Sequence, residues 1–375
     1  QLLEVMVDFW SNHLNVTCPS SDVWATRHLY DSQVIRRHAL GKFSDLLAAS
    51  ARHPAMLSYL DNASSDKDAP NENYARELLE LHTVGVGAGY SEAMVKSAAR
   101  LLTGLSVDDG TMGYLYDTSK HATGAVKVLG FSDANRSTYG EKVALRYLRY
   151  LATHPATARR IARKLAVRFV SDNPPAALVT SLAKVYLKHD TDIRPVLRAL
   201  FASKAFKASS GDKVKRPFED LVSTVRALGI RPPASGTDGM RQLYWVSGEL
   251  GHPPLGWHPP DGYPDVVSSW QSAGGTLARW NAHLGLAAGW WPNDLRHPPL
   301  QYRLRPARPR THGALVDAAA AGLGLPRPTE TVRQAICTFL GEKVSAPLEA
   351  GDQALGWRLP YVHALLLDSP AAAVR

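Results

Sequence analysis

The sequence predicts a mainly α-helical protein, a multi-helix globular bundle with a small β-hairpin or extended excursion around residues 105–130. Apolar residues recur at helical spacing through most of the chain, whereas strand-like alternation is confined to that one stretch. The composition, 45% hydrophobic and 21% charged among 375 residues, is that of a globular protein and excludes disordered and collagen-like classes. No run of about 18 apolar residues occurs, so we expect no membrane span.

The first predicted helices lie before residue 105. Apolar residues between positions 34 and 51 follow a helical rhythm that pauses at His53-Pro54. A second helix begins with Asn71 as its N-cap and runs to about Val84, because Gly85 follows. A third begins at Ser91 and ends at Gly104.

Alternating residues then interrupt the helical rhythm. Tyr114, Tyr116, Val126 and Val128 alternate along the chain, with Gly113 and Gly124 nearby, and this pattern predicts the β-excursion. Further helices are predicted at about 141–152, 156–170, 175–188, 193–203, 268–288, 311–322 and 329–339. We expect a helical core over 1–230 and a Trp- and Pro-rich helical portion over 231–375 packed on it, or one continuous domain.

The helix at 71–84 carries the densest group of polar residues. Asn73, Glu77 and Glu80 share one face, while Arg76 lies one turn from both Glu72 and Glu80. Carboxylates on one helical face form metal or acid–base sites inside helical bundles. The alternative is an ordinary helix whose acids pair with arginines.

Two histidines are further candidates. His13 follows an apolar stretch with Met6, Phe9 and Trp10, where a neutral imidazole can bind a metal or transfer protons, or simply bond a backbone carbonyl. His121 lies in the irregular excursion beside glycine, and loops often carry functional residues. His53 and His154, each before a proline, are expected to cap helices.

The formal net charge of +9 is concentrated in two stretches, Arg136–Arg168 and Arg303–Arg310. Either stretch could bind a polyanion or form a solvated surface, and neither carries a nucleic-acid-binding motif. The sequence contains no zinc-protease helix, nucleophile elbow, Walker loop or dinucleotide-binding glycine motif. Cys18 and Cys337 could form a lone disulfide or remain two free thiols.

Long motifs resemble one bacterial family. Four segments are similar to motifs of the bacterial domain-of-unknown-function 1800 family. They are Val34 to Asn62, Asn71 to Gly104, His154 to Val170 and the Gly-Tyr-Pro-Asp sequence at 262–265. The resemblance covers nearly the whole chain. It implies that a segment preceding Gln1 is missing, that the protein is exported, and that a partner from a phosphatase- or sulfatase-like family is encoded nearby.

Three positions depart from the family pattern. Asn12 and His13 match its Asn-His pair, but Ser11 replaces a usual His and Leu14 a usual Phe. In the loop with His121, Ala122 stands where Asp is expected. These differences imply altered chemistry or a different substrate.

The leading hypothesis is an enzyme acting on a small molecule, with His13, Asn73, Glu77, Glu80 and His121 as its site. A divalent or redox metal held by His13, Glu77 and His121 would favour an oxidoreductase slightly over a metal-dependent hydrolase. The alternative is a non-catalytic helical module that binds a partner protein or an anionic polymer.

Overall fold

A computed structural model describes residues 1–305 and 307–375 and divides them into two units. The prediction of a mainly α-helical protein is confirmed, since the strands described form two small antiparallel sheets. No helix in the described residues is long and apolar enough to cross a membrane.

The first unit comprises residues 1–209 and the segment 255–264. Its α-helices are α1 (Leu2–His13), α2 (Arg27–Leu29), α3 (Phe43–Ala51), α4 (Pro54–Tyr59), α5 (Glu72–Glu77), α6 (Glu92–Leu102), α7 (Glu141–Thr153), α8 (Pro155–Phe169), α9 (Ala176–Lys188), α10 (Ile193–Ala202) and α11 (Lys204–Ala208). Two π-helices, Tyr30–Arg36 and Leu78–His82, continue α2 and α5 directly. Short 3-10 turns occupy Asn62–Ser64 and Val86–Ala88.

Local sequence signals explain several of these helix starts. The Asn71 side chain accepts a hydrogen bond from the backbone N–H of Asn73, as the predicted N-cap should. His53 and His154 cap α4 and α8 through their Nδ1 atoms, each with proline as the first helical residue. Both predicted capping roles are therefore confirmed.

The predicted excursion contains two hairpins. Strand β1 (Leu105–Val107) pairs with β2 (Tyr114–Tyr116), Leu105 opposite Tyr116. Strand β3 (Val126–Val128) pairs with β4 (Phe131–Asp133), Val128 opposite Phe131. Val126 and Val128 are buried while Lys127 between them is exposed, so the alternation correctly predicted strand structure.

The second unit comprises residues 210–254 and 265–375, except residue 306. Its α-helices are α12 (Pro217–Ala227), α13 (Asp238–Glu249), α14 (Ala273–Ala288), α15 (His312–Leu323), α16 (Glu330–Leu340), α17 (Leu359–Leu367) and α18 (Pro370–Ala373), with 3-10 turns at Val267–Ser269, Leu300–Arg303 and Gln353–Leu355. Helix α15 is rich in alanine and lies in the centre of this unit's core.

The division differs from the predicted boundary at residue 230. The first unit contains residues 1–209 and, after an interruption, residues 255–264. Helix α12 belongs to the second unit, where it packs against α14. Cys18 and Cys337 are free thiols.

Candidate functional site

The site begins at the C-terminal end of α1, where His13 is almost fully buried at 1% exposure. Its Nδ1 lies 3.0 Å from Nζ of Lys164 on α8, and its Nε2 lies 3.0 Å from the backbone oxygen of His82. An ammonium group can only donate, so Nδ1 accepts and the proton sits on Nε2, which donates to the His82 carbonyl. His13 therefore ties α1 to both α8 and the π-helix.

Both imidazoles in this region are held neutral. Burial, followed by the charge of Lys164, lowers the pKa of His13 well below its ordinary value. Burial, together with Lys164 and Arg160, lowers the pKa of His82 to about 3. The His82 Nε2 atom is buried and has no hydrogen-bond partner among the described residues.

The π-helix Leu78–His82 replaces the second half of the predicted α-helix at 71–84, which is a correction to that prediction. Several of its carbonyls have partners outside the helix: besides His82 O, Leu78 O accepts from Thr83 Oγ1 at 2.6 Å, and Leu81 O accepts from Arg160 Nε at 3.2 Å. π-Helical turns within α-helices occur frequently at functional sites. The π-helix Leu78–His82 carries the Glu80 side chain and the His82 carbonyl that accepts the hydrogen bond from His13.

Glu77 lies where α5 meets the π-helix. It is half-buried and forms no ion pair within the described residues, whereas the adjacent Arg76 is engaged bidentately by Glu92 at 2.8 and 2.7 Å. Burial, then the negative charges of Glu80 and Asp261, raise the pKa of Glu77 above its ordinary value, and Arg76 opposes them.

Asp261 belongs to the segment 255–264, which forms hydrogen bonds with Asn12 and Asn15. Asn12 donates to Tyr263 O and accepts from Tyr263 N, both at 2.7 Å. Asn15 donates to Trp257 O and Pro259 O, both at 2.8 Å. These paired bonds fix a loop that has no regular structure of its own.

Two tyrosines and a tryptophan complete the polar surroundings. Trp257 Nε1 donates to Asp261 Oδ1 at 2.7 Å, and Tyr59 donates to His258 O. Burial, then the charges of Asp261 and Glu77, raise the pKa of Tyr59 to about 12. Burial and a hydrogen bond to Glu80 raise the pKa of Tyr90 to about 12. Both phenols are consequently protonated at neutral pH and can donate hydrogen bonds.

The predicted site residues are brought together only in part. Glu77 and Glu80 lie together, and His13 contacts the same π-helix through His82. Asn73 is exposed, with its Nδ2 3.5 Å from Leu60 O, and its role in the site stays a prediction.

His121 has a structural role. Its Nδ1 lies 2.8 Å from Thr103 O and its Nε2 lies 2.9 Å from Asn135 Oδ1. The same Asn135 donates to Ala122 O at 2.8 Å, and Ala122 is buried. Both ring nitrogens thus help to close the loop between the hairpins, and the catalytic role of His121 stays a prediction.

The metal centre predicted from His13, Glu77 and His121 does not assemble in this arrangement. Across residues 1–305 and 307–375, no group of three or more His, Cys, Asp or Glu side chains is placed to hold a metal ion. Both nitrogens of His13 and of His121 already form hydrogen bonds, so either ring would have to give up one of them to coordinate a metal.

The basic stretch Arg136–Arg168 divides into two parts. On α8, Arg160, Lys164 and Arg168 follow one another every fourth residue and turn toward the interior, where Arg168 meets Asp8 at 3.2 Å. On α7, exposed Arg146 and Arg149 pair with Asp133 and Asp190. This pairing reduces the positive charge that a polyanion would meet.

Sequence reasoning missed His82, Lys164, Arg160, Asn15 and Asp261. His82 lies in the motif already singled out, and the spacing of Arg160 and Lys164 places them on one helical face. Asp261 gave no sequence signal beyond its position next to Gly262.

The whole chain was compared with known families and proteins. The model of the family described as protein of unknown function DUF1800 matches residues 1–374. The chain belongs to this DUF1800 family. No curated protein and no solved structure matches it. The family match spans both units, including α5, the π-helix and the segment 255–264.

Proposed function

We propose that the chain is an enzyme that acts on a small polar molecule by proton transfer, with Glu77 as the group that accepts or donates the proton. One observation carries this proposal: a half-buried carboxyl without an ion pair in the described residues, flanked by two further carboxylates that raise its pKa. A raised carboxyl pKa brings the group nearer to neutral pH, where general acid–base catalysis is most efficient.

Each neighbour has a role in this proposal. Burial, and then the charges of Glu80 and Asp261, raise the pKa of the Glu77 carboxyl. The protonated hydroxyls of Tyr59 and Tyr90 donate hydrogen bonds in the same region. His13 is a positioning residue, since it fixes the π-helix through the His82 carbonyl.

Proton transfer at Glu77 has better support than metal-assisted oxidation. The three ligands predicted for a metal do not form a donor group, and a metal would need another set of side chains. Hydrolysis of a small molecule is compatible with a carboxylate base, because it begins with removal of a proton from water. Oxidation would need, besides the base, an electron acceptor that the carboxylate does not supply.

Isotope labelling tests the proposal, because a transformed metabolite is recognised by its change in mass. A pool of bacterial small metabolites would be incubated with the protein in D₂O and, separately, in water enriched in ¹⁸O, and analysed by mass spectrometry. We expect a metabolite that changes with the wild type and roughly 100-fold more slowly with Glu77→Gln. Oxygen-18 in the product indicates hydrolysis, a loss of two hydrogens indicates oxidation, and deuterium exchange alone indicates proton transfer.

Glu72→Gln is the matched control. It makes the same chemical change one turn earlier on α5, where the carboxylate lies 3.5 Å from Arg76. The proposal fails when wild type and Glu77→Gln transform the pool identically, or when Glu72→Gln slows the reaction as much as Glu77→Gln does.

Export of the protein is a separate proposal that the family resemblance supports. Fractionation of the producing bacterium, with antibodies against this chain and a cytoplasmic marker, tests it. Recovery of the chain with the cytoplasmic marker alone contradicts export.

A further inference from the structure

The first unit contains a cavity of about 660 Å³ to which the proposed acid–base site contributes no residue. Helix α3, the π-helix Tyr30–Arg36, the start of α4 and the turn before β2 line it. Small-molecule sites commonly have volumes of roughly 300 to 1,000 Å³. The cavity is therefore large enough for a metabolite.

The charged lining is dominated by arginine. Arg37 is exposed, Arg52 is half-buried, and neither forms an ion pair within the described residues. Arg52 uses its Nε to donate to Ala48 O at 3.2 Å, so its two terminal nitrogens remain available. Asp45 is the acidic residue among those that line the cavity. Arginine pairs with carboxylates and phosphates through two parallel hydrogen bonds.

His53 adds a buried donor to the wall of the cavity. It is 8% exposed, and its Nδ1 accepts from Ala55 N, so the proton lies on Nε2. That N–H has no hydrogen-bond partner among the described residues. Burial, and then the charge of Arg27, lowers the pKa of His53 to about 4, so the ring is a neutral donor at physiological pH.

A buried cation lies behind this wall. Arg27 is 2% exposed, donates through Nε to Val16 O at 2.9 Å, and leaves both terminal nitrogens without partners in the described residues. Asp31 offsets part of its charge. An incompletely neutralised cation near a cavity with low-dielectric walls attracts anions.

The lining also has an apolar part, and the turn that carries Met112 is held in place. Leu29, Val34, Pro54 and Met112 line the cavity. Met112 has a φ of +54°, a left-handed conformation that is strained for a side chain of this size. Its turn is fixed because Asp108 accepts from both the backbone N–H and the hydroxyl of Thr111 at 2.7 Å.

We propose that this cavity binds a small organic anion, whose carboxylate or phosphate group pairs with Arg37 and Arg52 and whose apolar body packs against Leu29, Val34 and Met112. The His53 Nε2–H supplies a further hydrogen bond. This proposal does not depend on proton transfer at Glu77, because the two sites share no residue.

Calorimetric titration of the intact chain with benzoate, phenyl phosphate and benzyl alcohol tests the proposal. We expect at least one of the two anions to bind at millimolar concentration or below, and neutral benzyl alcohol to bind at least tenfold more weakly. The anion that binds more tightly identifies carboxylate or phosphate as the preferred group.

Three variants locate the binding. Arg37→Gln and Arg52→Gln should each weaken anion binding about tenfold or more, the effect expected for one lost hydrogen bond to a charged group. Arg36→Gln is the matched control, because Arg36 is engaged with Glu4 at 2.7 Å and does not line the cavity. Unchanged circular dichroism shows that each variant is folded.

Several outcomes overturn the proposal. These are the absence of binding by both anions, equal binding of benzyl alcohol, or retention of full affinity in both Arg37→Gln and Arg52→Gln. A loss in Arg36→Gln as large as in the other two variants also overturns it, since the effect would then be general to surface charge.

Discussion

The ammonium group of Lys164 donates a hydrogen bond to Nδ1 of His13 across 3.0 Å. This contact joins residues 151 positions apart and fixes the tautomer of a buried ring. Because Nδ1 accepts this hydrogen bond, the Nε2–H of His13 donates to the backbone oxygen of His82 in the π-helix. The two residues therefore help to hold in place the π-helix that carries Glu80.

The tautomer of His13 can be measured directly. We expect nitrogen-15 NMR to show a neutral His13 with its proton on Nε2 from pH 5 to pH 8, because burial and Lys164 lower its pKa. In Lys164→Met the pKa of His13 should rise, since the second-largest cause of the shift is removed. An Nδ1-protonated ring in the wild type contradicts the contact described.

Glu77→Gln should stabilise the protein while it slows turnover. A raised folded-state pKa means that the stabilising contribution of Glu77 is present at low pH and is lost as pH rises through that pKa. The glutamine variant should therefore match the wild type below pH 4 and exceed its free energy of unfolding by on the order of 0.5 kcal/mol at pH 7, the usual cost of like charges one turn apart.

Urea unfolding across this pH range checks the prediction. The Glu72→Gln variant instead loses an ion pair with Arg76. Its free energy of unfolding at pH 7 should therefore equal that of the wild type or lie below it. A fall in stability for Glu77→Gln at pH 7 shows that the Glu77 charge is favourable, contrary to its environment as described.

Gly262 should tolerate no side chain. Its φ is +74°, and an added Cβ would overlap the backbone oxygen of Asn12. Gly251 has the same φ of +74° but nothing within 4 Å of its would-be Cβ. Gly262→Ala should therefore cost about 1 to 3 kcal/mol more than Gly251→Ala, the range for overpacking. Denaturant unfolding of both variants measures the difference, and equal losses contradict the close approach.

The sequence was sufficient for the helices and for part of the site. Helical spacing placed Glu77 and Glu80 on one face, and alternation identified the strands with Val126 and Val128. The π-helix was not predictable, because the carbonyls it frees are satisfied by Thr83 and by Arg160, a residue from a distant helix. Asp261 approaches Glu77 only because Asn12 and Asn15 anchor its loop, and such long-range pairing leaves no local pattern.

The second unit should lose stability at high pH through His283. Its Nδ1 lies 2.7 Å from Asp368 and its Nε2 lies 3.1 Å from Asp220, with the imidazole only 5% exposed. Burial alone lowers the pKa of His283, but the hydrogen bonds and charges of the two carboxylates outweigh it and raise the pKa to about 9. Burial in turn raises the pKa of Asp368, and the hydrogen bond and charge of His283 oppose that rise.

The sign of the pH dependence follows from this raised pKa. The stabilisation is fully present below the unfolded-state value of 6.5 and is lost as pH rises through about 9. The gap between those two values corresponds to roughly 3 kcal/mol. The free energy of unfolding of the wild type should therefore exceed that of His283→Gln by a larger margin at pH 5.5 than at pH 10.

His363→Gln is the control within the same unit. His363 is fully buried, its Nδ1 lies 3.0 Å from Leu359 O, and burial lowers its pKa, the opposite direction to the shift of His283. Replacing it should destabilise the protein by a similar amount at pH 5.5 and pH 10, or by less at the acidic end. A margin for His283→Gln that stays constant across the same interval shows that the imidazole between Asp220 and Asp368 is neutral, and the charged triad is then excluded.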